Sequence, residues 1–157
     1  MEVPTISNRD FKFNHIKQQY KMKATEVLSR FLDAVSSLDI ETVKSLFHED
    51  ITQNVPFAPE GTPDAIHGKA AVSANFEMLP MMFRELKYSN VEIVETTDPD
   101  FAVGFAHADG VLPTGDAYVQ NYVFYVRLKD GLIHEYREYM NPVQLGNALA
   151  KLQAAKQ

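Results

Sequence analysis

From Met22 onward, apolar residues recur at helical spacing. Val27, Leu28, Phe31, Leu32 and Val35 form one stripe, which predicts a first helix ending near Ser37. Asp39 is a suitable N-cap for a second, short helix with Val43, Leu46 and Phe47 on its buried face. The period then changes: Ile51 to Phe57 has strand character and runs into a segment punctuated by Pro56, Pro59, Gly61 and Pro63. After Gly68 the helical period returns from Lys69 to Phe83, with Val72, Phe76, Leu79 and Phe83 three and four residues apart; Pro80 is expected to shorten or kink this helix.

The remainder is mostly strand. Tyr88 to Glu95, Phe101 to Leu112, Tyr118 to Leu128 and Leu132 to Met140 are rich in Val, Ile, Tyr and Phe, and turn sequences separate them. Asp130-Gly131 between the last two is a hairpin signal. Pro142 opens a final helix from Val143 to Ala155. Helices segregated from an antiparallel meander of strands predict an α+β fold. A strongly curved sheet wrapped around helices can leave a pocket between the two layers, the expected place for a ligand. The first 21 residues lack a clean period and are expected to form an irregular arm, with a single domain over 22–157.

Composition narrows the function classes. A chain of 157 residues with 45% hydrophobic content fits one globular domain. A net charge of -6 and the lack of a basic stripe argue against a nucleic-acid partner. Zero cysteines remove thiolate nucleophiles and thiolate metal sites, so any catalysis must use oxygen or imidazole. No apolar run approaches the roughly 20 residues that span a bilayer, and the first residues do not form a secretory signal, so a cytoplasmic protein is the expectation. The histidines at 15, 48, 67, 107 and 134 lack the spacing of a helical metal pair, and there is no phosphate loop, nucleophile elbow or dinucleotide fingerprint. Chemistry without metal or cofactor is therefore expected.

The stretch GLIHEYREYMNP concentrates charge inside a strand. If the strand is regular, His134, Tyr136, Glu138 and Met140 share one face, while Ile133, Glu135, Arg137 and Tyr139 share the other. Glu138 in an apolar pocket would have a raised pKa suited to acid/base work; the competing arrangement pairs it with a cross-strand Arg127. His107 is a second acid/base candidate, weighed against an ordinary hydrogen-bonded strand histidine. Asn54, Asn75, Gln120 and Tyr122 are neutral groups able to orient a ligand. Phe57, Phe76, Leu79 and Tyr136 are candidates for the pocket wall, and the adaptable Met78, Met81 and Met82 suit a flat or hydrophobic ligand.

Three stretches carry a family resemblance: Leu46-Phe47-His48-Glu49-Asp50 before a strand, PFAPEGTPDAIHG from Pro56 to Gly68, and the closing YREYMNP. Together they resemble the SnoaL-like group of the ketosteroid isomerase and nuclear transport factor 2-like superfamily. The resemblance implies a cone-shaped α+β fold, with N-terminal helices packed on a strongly curved mixed or antiparallel sheet that encloses an apolar cavity, and a homodimer packed through the sheet. Glu95-Thr96, Asp98-Pro99 and the ending Arg137 to Pro142 are similar to the phenazine-biosynthesis A/B proteins, which implies an acid/base role for Glu138. The departures are specific. Val55 stands where ketosteroid isomerases have their catalytic aspartate, Phe31 where they have an oxyanion tyrosine, and Asn75 where the phenazine proteins have a cavity histidine. Three readings stay open: an enzyme without cofactor that isomerises, dehydrates, condenses or cyclises a small hydrophobic, cyclic or aromatic metabolite; a non-catalytic protein that binds such a molecule in the same cavity; and a purely dimeric adaptor module, which an internal cavity too small for any ligand would favour.

Overall fold

A computed structural model of the chain describes residues 21–156, so all but the last residue of the N-terminal arm lies outside the described residues. Two helices, α1 (Ala24–Ser36) and α2 (Ile40–Ser45), precede β1 (Phe47–Asn54) and the short β2 (Ala65–His67). Helices α3 (Lys69–Glu77) and α4 (Leu79–Met82) follow, then β3 (Glu85–Glu95), β4 (Phe101–Val111), β5 (Ala117–Lys129), β6 (Leu132–Tyr139) and α5 (Pro142–Ala154). The strands form one curved sheet in the order β2-β1-β6-β5-β4-β3 with helices packed on it, the expected α+β architecture. All neighbours are antiparallel except β1 and β6, which run parallel.

The apolar stripe of α1 forms because its side chains have a sheet to cover. Val27, Leu28, Phe31, Leu32 and Val35 are each at most 2% exposed. The inner face of β4 is built from the small residues Ala102, Gly104, Ala106, Ala108 and Gly110, which lets the helix layer come close. A Cβ on Gly104 would come within 2.8 Å of Leu28 Cδ2, so this glycine serves close approach. Phe31 is the centre of an aromatic cluster, with ring centroids 6.3 Å from Phe47, 5.6 Å from Phe76 and 5.1 Å from Tyr136.

Local signals set most boundaries. Asp39 caps α2 by accepting from the Thr42 N–H at 3.1 Å, and the Asn141 side chain caps α5 by accepting from the Val143 N–H at 3.0 Å. Asp130 and Gly131 both have positive φ, as a two-residue hairpin of this hand requires. The Thr96-Asp98-Pro99 motif is a turn: the Thr96 hydroxyl donates to the carbonyls of Asp98 and Phe101 and accepts from the Asp98 N–H.

Several expectations are corrected. Phe47 belongs to β1, not to α2; the Ile133 N–H bonds the Leu46 carbonyl at 2.8 Å and starts the sheet there, four residues earlier than Ile51. The proline-rich segment contains the short edge strand β2, whose Ile66 pairs with Gln53. The single helix expected from Lys69 to Phe83 breaks at Met78, ahead of Pro80, into α3 and α4.

The most consequential correction lies in β6. Leu128 faces Ile133 and Arg127 faces Glu135, so His134 is an extra residue, a β-bulge. Ile133 therefore points inward with Tyr136 and Glu138, while His134 turns outward, where its ring meets His48 at 5.3 Å. The proposed grouping of His134 with Tyr136 and Glu138 fails because the strand is not regular.

Candidate active site

Parallel pairing puts Gln53 of β1 beside Tyr136 of β6, and Glu138 lies two residues further along the same inner face. These strands form the floor of a cavity of about 220 Å³. Val55 and the loop residues Ala58, Pro59, Thr62, Pro63 and Asp64 form one wall. Asn75, Leu79 and Met82 come from α3 and α4, and Leu145 and Leu149 of α5 close the far side. Of the lining side chains, most are apolar; two are acids, the exposed Asp64 at the loop and Glu138 set among the apolar residues of the floor.

The carboxylate of Glu138 opens onto the cavity but is otherwise enclosed by protein. Burial raises its pKa from 4.5 to about 7, and the hydrogen bond donated by the Tyr136 hydroxyl at 2.7 Å holds it back from rising further. The Arg127 alternative is excluded by geometry. Glu138 pairs across the ladder with Phe124, whereas Arg127 lies on the outer face and reaches Asp98 at 2.8 Å. Among the described residues no cation pairs with Glu138. Burial also pushes the phenols of Tyr88 and Tyr136 well above their usual range, with the charge of Glu138 adding to it, so both remain neutral through physiological pH. Burial has the same effect on Tyr122, whose hydroxyl lies 2.8 Å from that of Tyr118.

The model of the SnoaL-like domain matches residues 28–136 of the chain. The chain belongs to the SnoaL-like family. A PhzA/B-like protein of Pseudomonas aeruginosa is 32% identical to it over 135 residues, covering 85% of this chain and 95% of that one. The crystal structure of a putative isomerase from Bacillus subtilis superposes with a TM-score of 0.74 at 29% identity, covering 81% of this chain and 92% of that one. An NTF2-like protein of Burkholderia xenovorans shares the fold at a TM-score of 0.65 and 19% identity, with 82% and 98% covered. The domain match stops at Tyr136, so Glu138 of this SnoaL-like chain is placed by the structure and not by the family match.

Not all the expected site residues of the SnoaL-like chain converge. Glu138, Asn75 and Leu79 line the cavity, and Tyr136 lies directly behind the carboxylate that it bonds. His107 is on the outer face of β4, with its ring 2.9 Å from Asn121 Oδ1; that bond, followed by the nearby Asp109, raises its pKa. It is not a cavity group. Asn54 also faces outward, beside Thr52 and Glu135, because its neighbour Gln53 takes the inward position. Phe57 is 58% exposed and its ring packs on Tyr139. Phe76 is part of the aromatic core, and Tyr122 stacks on Phe124. Gln120 is a structural clip: its amide donates to the Asn141 carbonyl at 2.9 Å and accepts from the Asn141 N–H at 3.0 Å, fixing the exit from β6 into α5.

The positions noted as departures are resolved individually. Val55 does line the cavity, Phe31 is fully buried beneath Tyr136, and Asn75 sits at the cavity, where it donates to Gln53 Oε1 at 3.1 Å. Gln53 was not among the expected residues, although it is the polar member of the alternating set Ile51, Gln53, Val55. No three His, Asp or Glu side chains among the described residues converge as a metal site would require, and no described helix is long and apolar enough to cross a membrane.

Removing the Tyr136 hydroxyl tests this account of Glu138. Tyr136→Phe deletes the only side-chain donor bonded to the carboxylate among the described residues and is expected to raise its pKa above about 7. The protonated-carboxyl infrared band, followed against pH in the two proteins, reads the shift; an unchanged or lowered midpoint would show that Tyr136 does not hold the charged form.

Proposed function

We propose that this SnoaL-like chain is an acid/base enzyme that works without a cofactor on a small, hydrophobic, cyclic or aromatic metabolite, by isomerisation, dehydration, condensation or cyclisation. The observation that carries this reading is a carboxyl group with a pKa of about 7, without a cationic partner among the described residues, facing an apolar cavity. Near neutrality such a group is present in both protonation states, so it can take a proton from carbon and return it elsewhere on the ligand. Tyr136 keeps the carboxylate oriented during the transfer. The exposed Phe105 and Val119 on the helix-free face support the expected homodimer through the sheet.

A simple ketone probes the reading. 1-Tetralone carries exchangeable hydrogens beside its carbonyl, and proton NMR in D2O follows their replacement by deuterium. Accelerated exchange that is lost in Glu138→Gln is the expected result. Tetralone that binds both proteins and is recovered unexchanged from each would favour the binding-protein reading, which is motivated by the amide pair at Gln53 and Asn75 in place of a second acid.

A further inference from the structure

The polar side of the cavity is as specific as its acid. Gln53 is 3% exposed, and its carbonyl oxygen is taken by Asn75 Nδ2 at 3.1 Å. Its amide nitrogen has no acceptor among the described residues, although the side chain borders the cavity. Among the described residues the buried side-chain polar atom without a partner is Arg137 Nε, so the Gln53 amide nitrogen is not sealed in the protein but keeps access to the cavity that its side chain lines, where its donor is open to a ligand's acceptor.

We propose that Gln53 Nε2 is the hydrogen-bond donor that receives an acceptor oxygen of the ligand, a carbonyl or equivalent group, with Asn75 as the positioning residue that holds the Gln53 amide in that orientation. With Asn75 donating, the Gln53 oxygen is turned toward α3 and its nitrogen is left toward the cavity. Strand geometry sets the separation from the acid. Gln53 is level with Tyr136 on the adjacent strand, and Glu138 is two residues on. One strand spacing and two residues of rise put the two backbone positions roughly 8 Å apart. Side chains that lean toward one another across that distance span one ring of a ligand. A cavity of about 220 Å³ lies at the small end of ligand sites and suits a one- or two-ring molecule. The substrate class is thus a compact ring compound with an acceptor oxygen a few bonds from the carbon that Glu138 serves.

The inference takes from the proposed function only that this cavity is the ligand site; the acid/base role of Glu138 is separable from it. The test compares 1-tetralone with tetralin, which differs in lacking the oxygen. Wild-type protein is expected to bind tetralone about three- to tenfold more tightly than tetralin, the worth of one hydrogen bond, and to move the carbonyl stretch of bound tetralone to lower frequency. Gln53→Met conserves length and volume without the donor, and is expected to remove both the preference and the frequency shift. Circular dichroism and thermal melting confirm that each variant folds.

Glu138→Gln should retain the preference and the frequency shift while losing exchange. A carbonyl shift without exchange in wild type would defeat the catalytic reading and leave this subsite standing. Equal preference and equal carbonyl frequency in wild type and Gln53→Met would overturn the subsite, as would failure of tetralone to bind at millimolar concentration.

Discussion

Glu138→Gln is expected to slow proton exchange by about 100- to 10,000-fold, the usual contribution of a positioned general base, and at the same time to make the protein more stable at pH 8. The second effect follows from linkage. The carboxyl group ionises near pH 4.5 in the unfolded chain and near pH 7 in the folded one. Between those values the folded state holds more protons, so stability falls as pH rises through this window. Below about pH 4.5 both states are protonated and nothing is lost. Above about pH 7 the full difference is felt, about 2 to 3 kcal/mol once the opening to the cavity is allowed for. The variant cannot ionise, so its melting temperature should exceed that of wild type by roughly 8 °C at pH 8 and match it at pH 4. A variant less stable than wild type at pH 8, or a gap that does not change with pH, would mean that the folded carboxyl group is not held near neutrality. The combination of lost activity with gained stability distinguishes a functional acid from a structural one.

Phe31→Ala is expected to cost about 3 to 5 kcal/mol, the range for deleting a buried aromatic ring. Phe31 is fully buried and touches Phe47, Phe76 and Tyr136, which come from β1, α3 and β6. Its loss opens a void where the helical layer meets the cavity floor. Chemical denaturation should show a lower midpoint with an unchanged slope. Because Tyr136 leans on this ring at 5.1 Å, the variant should also bind tetralone more weakly even where it remains folded. A loss under 1 kcal/mol would show that the cluster collapses around the gap and that Phe31 does not brace the site.

The contrast with a tyrosine at the same position is informative. The side chain of Phe31 does not border the cavity; it supports Tyr136, and Tyr136 supplies the hydroxyl that reaches the carboxylate. The phenol in contact with the acid comes from the strand and not from the first helix.

Much of the fold was legible because its signals are local. The stripe Val27 to Val35, the Asp39 cap, the Asp130-Gly131 turn and Pro142 each act within one or two turns of chain. Phe47 misled because it continues the spacing of Val43 and Leu46; what places it in a strand is pairing with Ile133, 86 positions away. Glu138 was legible as a carboxylate among apolar neighbours, whereas the role of Gln53 depended on which phase of β1 faces inward. Asn54 and Gln53 are adjacent and chemically alike. Only the register against Tyr136 and Ile66 decides between them.

His107 illustrates the reverse error. Its strand has Phe105 on the same side, exposed rather than buried, so an aromatic neighbour marked the outer face and not a pocket. Small residues mark the inner face of that strand, a pattern set by the close approach of α1 and invisible to any scale that scores hydrophobicity alone.

The extra residue at His134 also sets what a deletion in this strand would do. Every side chain of β6 after the bulge owes its direction to that single insertion. Deleting it while the hairpin stayed anchored at Asp130-Gly131 would turn Glu138 to the outer surface and bring the other phase of the strand inward. A change of one in strand length would here exchange the reactive group of the cavity without substituting any residue, so in this chain the number of residues between turn and carboxylate carries as much chemical information as the carboxylate itself.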